Sequence, residues 1–230
     1  MTRSLEEVTD NNNPQFATLH PNLLIGIYQA FDILKKQKKT VGALYEFGVY
    51  RGFSFWYANQ LAKQFGFNYE FYGFDSFEGL PQSQVDIHRN WSEGSYACDL
   101  ISVNQQLDKW GMPLPFKLFK GFFSDISFAK FEKENDLKRC CIAVVDSDLY
   151  ESCVEVLSYL KPKLEDEPII LFDDYNAFNS DNNHGERKAL SEFKLANPQF
   201  NFTELFSFGP YGQAFQVQSI PLDVKILGTQ

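Results

Sequence analysis

A doubly wound, mostly parallel seven-stranded α/β sheet that ends in a C-terminal antiparallel hairpin is the fold class this sequence predicts. Three observations carry it. Short apolar runs alternate with amphipathic stretches of helical spacing, acidic and glycine residues fall directly after the runs, and only Gly209-Pro210-Tyr211-Gly212 and its neighbours separate the last two runs. Such alternation belongs to a parallel sheet covered on both faces, because each helix returns the chain to the same strand direction.

Apolar residues at Leu23, Leu24, Ile27, Ala30, Phe31 and Leu34 recur at helical spacing, and Lys35 to Lys39 place positive charge at the helix end. Val41 to Phe47 then reads as a strand closing on Gly48, and Phe53 to Phe65 as a helix ending at Gly66. The pattern continues with a Tyr69–Phe74 strand, an Asp75–Gly94 loop, a Tyr96–Trp110 helix, a Pro115–Phe119 strand and a Ser124–Glu134 helix. A Cys140–Val145 strand, a Tyr150–Leu160 helix, an Ile169–Phe172 strand and a Gly185–Ala196 helix follow, and strands near Phe202–Ser207 and Gln213–Gln218 form the hairpin. With no linker and no repeat, residues 21–230 are expected to form one domain behind an N-terminal extension at 1–20.

A hydrophobic fraction of 44% supplies a core, yet no run approaches the roughly 18 apolar residues of a membrane span. Met1 to Asn13 is acidic and polar rather than basic then apolar, so a cytoplasmic home is expected. A net charge of −9 argues against nucleic acid and anionic membranes as main partners, since both are held through basic patches. Cys98, Cys140, Cys141 and Cys153 lack metal or redox spacing and read as reduced thiols, with Cys140 and Cys141 on opposite faces of a strand.

In open sheets ligands bind beyond the carboxyl ends of the strands. Glu46-Phe47-Gly48-Val49-Tyr50-Arg51-Gly52 joins a strand to a helix through two glycines, a turn that lets backbone approach a ligand. It lacks the GxGxxG of a dinucleotide site. Asp75 ends the second strand, where a carboxylate can accept from a ribose diol, so a nucleoside cofactor is expected. After the third strand, Phe122 or Phe123 can wall an adenine, with Ser124 or Asp125 as polar contact and Ser124 equally placed as a helix cap. Asp146 and Asp148, two apart, point to one side if the strand stays extended, and Asp173 and Asp174 end the next strand. Capping accounts for Asp148 but not for both pairs. Four converging carboxylates need a cation, and an all-oxygen set suits Mg²⁺, Mn²⁺ or Ca²⁺.

The strings YEFGVYRG (Tyr45–Gly52), GFDSFEGLP (Gly73–Pro81), VDSDLYES (Val145–Ser152), FDDY (Phe172–Tyr175) and GERKA (Gly185–Ala189) resemble, in order, the motifs of the macrocin O-methyltransferase (TylF-type) family, over about Thr18 to Phe193. The resemblance implies a class I methyltransferase, Rossmann-like fold, S-adenosylmethionine as donor, Mg²⁺, and a small-molecule hydroxyl acceptor, in known members a macrolide deoxysugar. It implies cofactor contacts from Glu46, Gly48, Val49, Tyr50, Arg51, Asp75, Ser76, Phe77, Gly79, Gly121, Phe122, Asp125 and Asp146. Related catechol-type enzymes imply Asp146, Asp173 and Asp174 as metal ligands, with Asp148 an additional ligand, a partner behind the ligands or a base, and His88 the rival for the proton; His20 and His184 receive no role. Phe53 stands where the family usually has glycine, and Glu165-Asp166-Glu167-Pro168 replaces a usual Pro-Gly-Gly. An NAD(P)-dependent oxidoreductase shares the fold and Asp75 but explains neither the altered glycine turn nor the aspartates. A non-catalytic nucleoside-binding module would bind cofactor without metal. The leading helix and aromatic-rich surface segments make a homodimer the oligomer to test for.

Overall fold

The computed structural model describes residues 21–86, 91–125, 131 and 134–220. His88 and most of the expected 124–134 helix lie outside them. Seven strands, β1 (Val41–Phe47), β2 (Asn68–Asp75), β3 (Phe116–Lys120), β4 (Cys140–Val145), β5 (Ile169–Phe172), β6 (Phe200–Phe208) and β7 (Gly212–Ser219), form one sheet in the order β3-β2-β1-β4-β5-β7-β6. The first five pair in parallel; β7 runs antiparallel to both β5 and β6, so the expected terminal hairpin is present.

Helices α1 (Pro21–Lys36), α2 (Phe53–Phe65) and α3 (Leu100–Trp110) cover one face, and α4 (Tyr150–Leu160) and α5 (Gly185–Ala196) the other. Every residue of β4 and β5 is buried, as strands covered on both faces must be. Period-two alternation divides the two cores: Leu44 and Val144 pack toward α1 and α2, while Tyr45, Phe47, Ala143 and Val145 pack toward α4 and α5. Cys141 and Cys140 separate the same way.

The α1 stripe Leu23, Ile27, Ala30, Phe31 and Leu34 is fully buried at the spacing expected. Helix α3 starts at Leu100 rather than at Tyr96. Tyr96 is left-handed (φ 60), and Asp99, extended at φ −65 and ψ 147, caps the helix by accepting from the Ser102 N–H. Aspartate at a cap outcompetes helix continuation, which the apolar spacing alone does not reveal.

Register aligns the strand ends. Phe47 pairs with Phe74 and with Val145, and Val145 pairs with Phe172. The last ladder bonds run from Gly48 N–H to the Phe74 carbonyl, Gly121 N–H to Asp75, Asp146 N–H to Phe47 and Asp173 N–H to Val145. Gly48, Asp75, Gly121, Asp146 and Asp173 therefore stand side by side along one sheet edge. The antiparallel hairpin delivers its tip there too, where the Tyr211 carbonyl accepts from Asn176 N–H.

Candidate active site

The turn after β1 is shaped by two contacts. Gly48 is left-handed (φ 93), and a Cβ there would run into the Asp146 carbonyl oxygen, so only glycine fits between β1 and β4. Asp75 then gathers the turn: Oδ2 accepts from Val49 N–H at 2.7 Å and Tyr50 N–H at 2.8 Å, and Oδ1 accepts from Phe77 N–H at 2.7 Å. A carboxylate has about four acceptor positions, so roughly one remains for a ligand. The loop after β2 doubles back on itself, with Leu80 N–H on the Ser95 carbonyl and Gly94 N–H on the Leu80 carbonyl. Gly79 lies so close that a Cβ would meet the Gly94 oxygen at 2.6 Å.

These segments enclose a cavity of about 650 Å³. Of the expected cofactor residues, Gly48, Tyr50, Asp75, Ser76, Gly79, Gly121, Phe122 and Asp146 line it. Val49 and Phe77 are core residues that serve through their backbone N–H groups. Arg51 lies over the Tyr50 ring at 5.0 Å, and Asp125 is exposed beside Ser124. Glu46 is fully buried: Oε1 accepts from the Ser54 hydroxyl at 2.6 Å, Oε2 has no hydrogen-bond partner, and burial pushes the carboxyl up to about 8.

All four aspartates of the expected cluster line the same cavity. The set whose oxygens close together is Asp146, Asp148 and Asp174, each offering one within 4.8 Å of the others; Asp173 stands beside that trio rather than in it. The route to convergence also differs from an extended strand. Asp148 is left-handed (φ 58), and the Leu149 N–H folds back to the Ser147 carbonyl at 2.6 Å, a tight turn that swings Asp148 toward β5.

Burial first, then the neighbouring carboxylates, hold Asp146 and Asp148 well above the ordinary carboxylate range, and the same causes bring Asp173 to about 7. Asp148 and Asp174 bring oxygens within 4.8 Å of each other, an approach that two buried carboxylates keep at low cost only with a proton or a cation between them. Among the described residues lining the cavity there is no Lys, Arg or His. Such a donor set fits a hard divalent cation.

Against this geometry the family model for macrocin O-methyltransferase (TylF) matches residues 28–199. The chain belongs to the macrocin O-methyltransferase family. A curated relative from Streptomyces olivaceus, 8-demethyl-8-(2,3-dimethoxy-alpha-L-rhamnosyl)-tetracenomycin-C 4'-O-methyltransferase, is 28% identical over 143 residues, 58% of this chain and 53% of that protein. The chain thus spans about half the length of that relative. Calicheamicin methyltransferase CalS11 superposes with a TM-score of 0.70 at 21% identity, covering 93% of this chain and 85% of its own. The O-methyltransferase NovP does so at 0.66 and 18%, covering 84% and 78%. The fold is theirs. Among the described residues no helix is long and apolar enough to cross a membrane.

Several residues of the site lie outside the expected set. Trp91, Tyr96 and Tyr211 line the cavity, and the Trp91 side chain hydrogen-bonds Asp148. Behind the aspartates, fully buried Glu186 accepts from the Asp174 N–H through Oε2, while its Oε1 has no partner. Asp86 and Glu151 fasten the loop after Pro81. Glu186 belongs to the GERKA string, so the resemblance marked it without a role. Asp86 has no local sequence signal.

Proposed function

We propose that this chain is an S-adenosylmethionine-dependent, divalent-metal-dependent O-methyltransferase acting on a hydroxyl of a small molecule, a sugar unit of a natural product. The observation that carries it is the trio Asp146, Asp148 and Asp174 closing on one point in the cavity that the Gly48 turn and Asp75 border. The sugar acceptor is supported by the named activity of the Streptomyces olivaceus relative.

In this reading Gly48, Tyr50 and Asp75 seat the nucleoside of the donor, with Phe122 and its neighbours against the base. Asp146 and Asp174, flanked by Asp173, hold a cation such as Mg²⁺, which when bound makes a nearby hydroxyl far more acidic. Asp148 stands at the same point, held by Trp91 and by a turn that fixes its direction, and receives the hydroxyl proton. The acceptor oxygen bonds the donor methyl carbon as that carbon's bond to sulfur breaks, in line, releasing S-adenosylhomocysteine. The protein contributes position and charge; no covalent intermediate with a side chain is needed. His88, the alternative base, lies outside the described residues.

The test is methyl transfer from labelled S-adenosylmethionine to rhamnosyl glycosides, simple phenols and catechols, with Mg²⁺ and with chelator. Metal-dependent methylation of the glycosides is expected. Binding of NAD in place of S-adenosylhomocysteine would return the chain to the oxidoreductase class.

A further inference from the structure

Asp86 sits on a loop, yet its residue is only 2% exposed. Its carboxylate is shared by two helices. Oδ2 accepts from Tyr150 N–H at 2.6 Å and Gly185 N–H at 3.2 Å, and Oδ1 takes Gly185 N–H at 3.1 Å and His184 Nδ1 at 3.2 Å. Tyr150 opens α4 and Gly185 opens α5. Neither helix has a cap of its own: Leu149 has no acceptor to offer, and the His184 side chain makes no cap bond. A carboxylate from 64 residues before Tyr150 supplies both, where two helix dipoles favour a negative charge.

One of the segments joined this way follows Asp146 and Asp148, and the other carries the glutamate that holds Asp174. Tyr150 follows the turn that directs Asp148, and Gly185 precedes Glu186, whose Oε2 receives the Asp174 N–H at 3.1 Å. The approach from Pro81 to Asp86 is fixed as well, because Glu151 of α4 accepts from Ser83 Oγ, Gln84 N–H and Val85 N–H at 2.8, 3.0 and 3.2 Å. The loop that supplies Leu80, Pro81 and Gln82 to the cavity wall therefore ends on the same bolt as the carboxylates.

We infer that Asp86 is a positioning residue that holds the ligand Asp174 in place through Gly185 and Glu186, and the base Asp148 against it through Tyr150, while locking the Leu80–Gln82 wall to that arrangement. The inference rests on the metal reading above. Replacing Asp86 by Asn leaves one accepting oxygen for three donors and sets an amide N–H against backbone N–H groups; replacing it by Ala leaves both helix starts uncapped.

The test uses the full chain, Mn²⁺ as the probe followed by calorimetry and electron paramagnetic resonance, and S-adenosylhomocysteine binding and thermal melts alongside. Asp86→Asn is expected to weaken Mn²⁺ binding about tenfold to a hundredfold, as loss of a residue behind metal ligands does, with Asp86→Ala weaker still. S-adenosylhomocysteine affinity stays that of the wild type. His184→Ala, which removes one donor at a partly exposed position, should weaken Mn²⁺ about threefold and keeps the test open if the Asp86 variants do not fold. A purely structural cap would lower the melting temperature and leave Mn²⁺ affinity unchanged in every folded variant, and that result overturns the inference alone. A wild-type chain that binds no Mn²⁺ overturns the metal reading and this inference together.

Discussion

Glu46→Gln isolates one buried charge beside the cofactor turn. Glu46 is fully buried, one of its oxygens has no partner, and burial outweighs the Ser54 hydrogen bond to raise it from 4.5 to about 8. An acid raised on folding keeps a proton that the unfolded chain gives up. Its contribution is therefore present below about pH 4.5 and is lost as pH climbs through about 8. At 1.36 kcal/mol per unit, a rise from 4.5 to about 8 amounts to about 5 kcal/mol in all, lost at about 1.4 kcal/mol per pH unit between those limits. Glutamine is always neutral and keeps an oxygen for Ser54; its amide brings two unmet N–H donors where protonated Glu46 has one O–H, a fixed offset of about 1–3 kcal/mol that does not change with pH. Urea unfolding of both proteins from about pH 5 to 9 gives the difference directly. Near pH 5 the two should differ only by that offset; toward pH 9 the difference should move by several kcal/mol in favour of the Gln variant. A difference that stays flat across this range refutes the reasoning, because it means Glu46 is ionised throughout. S-adenosylhomocysteine affinity is the second readout. Glu46 faces Ser54 rather than the cavity, so it should be unchanged at about pH 6, where both side chains are neutral.

The aspartate cluster makes its own pH prediction. Asp146 and Asp148, held high by burial and mutual repulsion, and Asp173 at about 7 make the metal-free protein lose stability as pH rises from about 4 through 7. Saturating Mg²⁺ should thus raise the melting temperature more at about pH 8 than at about pH 5.5, and an equal rise at both would count against cation binding there. Asp174→Asn should abolish both the Mg²⁺-dependent stabilisation and turnover, read by melts and methyl transfer, while S-adenosylhomocysteine still binds. Gly48→Ala places a Cβ on the Asp146 carbonyl at a left-handed position, so a loss of about 3 kcal/mol or more and of cofactor binding is expected in unfolding and calorimetry. Asp99→Ala removes the α3 cap bond to Ser102 N–H and should lower the melting temperature slightly with turnover unchanged.

What the sequence discloses of this site depends on where each residue's partners sit along the chain. Gly48, Asp75, Asp146 and Asp173 were legible because each directly follows an apolar run, and parallel register brings such ends to one edge whatever the intervening loops do. Asp86 and Glu151 were not. Asp86 bonds Tyr150 N–H 64 residues away and Gly185 N–H 99 residues away, and no periodicity records such a pairing. The trace they leave is negative: two helices begin at Leu149-Tyr150 and His184-Gly185 without a local cap, so an acceptor must arrive from elsewhere. That Asp86 provides both, from the loop bordering the cavity, is a fact of the fold alone.

The D-x-D spacing shows the other side of this dependence. Two aspartates two apart share a side on an extended strand, which predicts that Asp146 and Asp148 converge. They do converge, but β4 ends at Val145, Ser147 turns, and Asp148 adopts φ 58. The turn aims Asp148 at Asp174 just beyond β5 and leaves Asp173 beside the trio, so the partition among the four aspartates comes from backbone that the spacing does not describe. A left-handed aspartate persists where its surroundings hold it. Here the Trp91 hydrogen bond holds the side chain and the Asp86 bond to Tyr150 N–H holds the backbone that follows. The strained residue is also the one placed to take a proton from an acceptor, which ties the backbone conformation at Asp148 to the chemistry proposed for it.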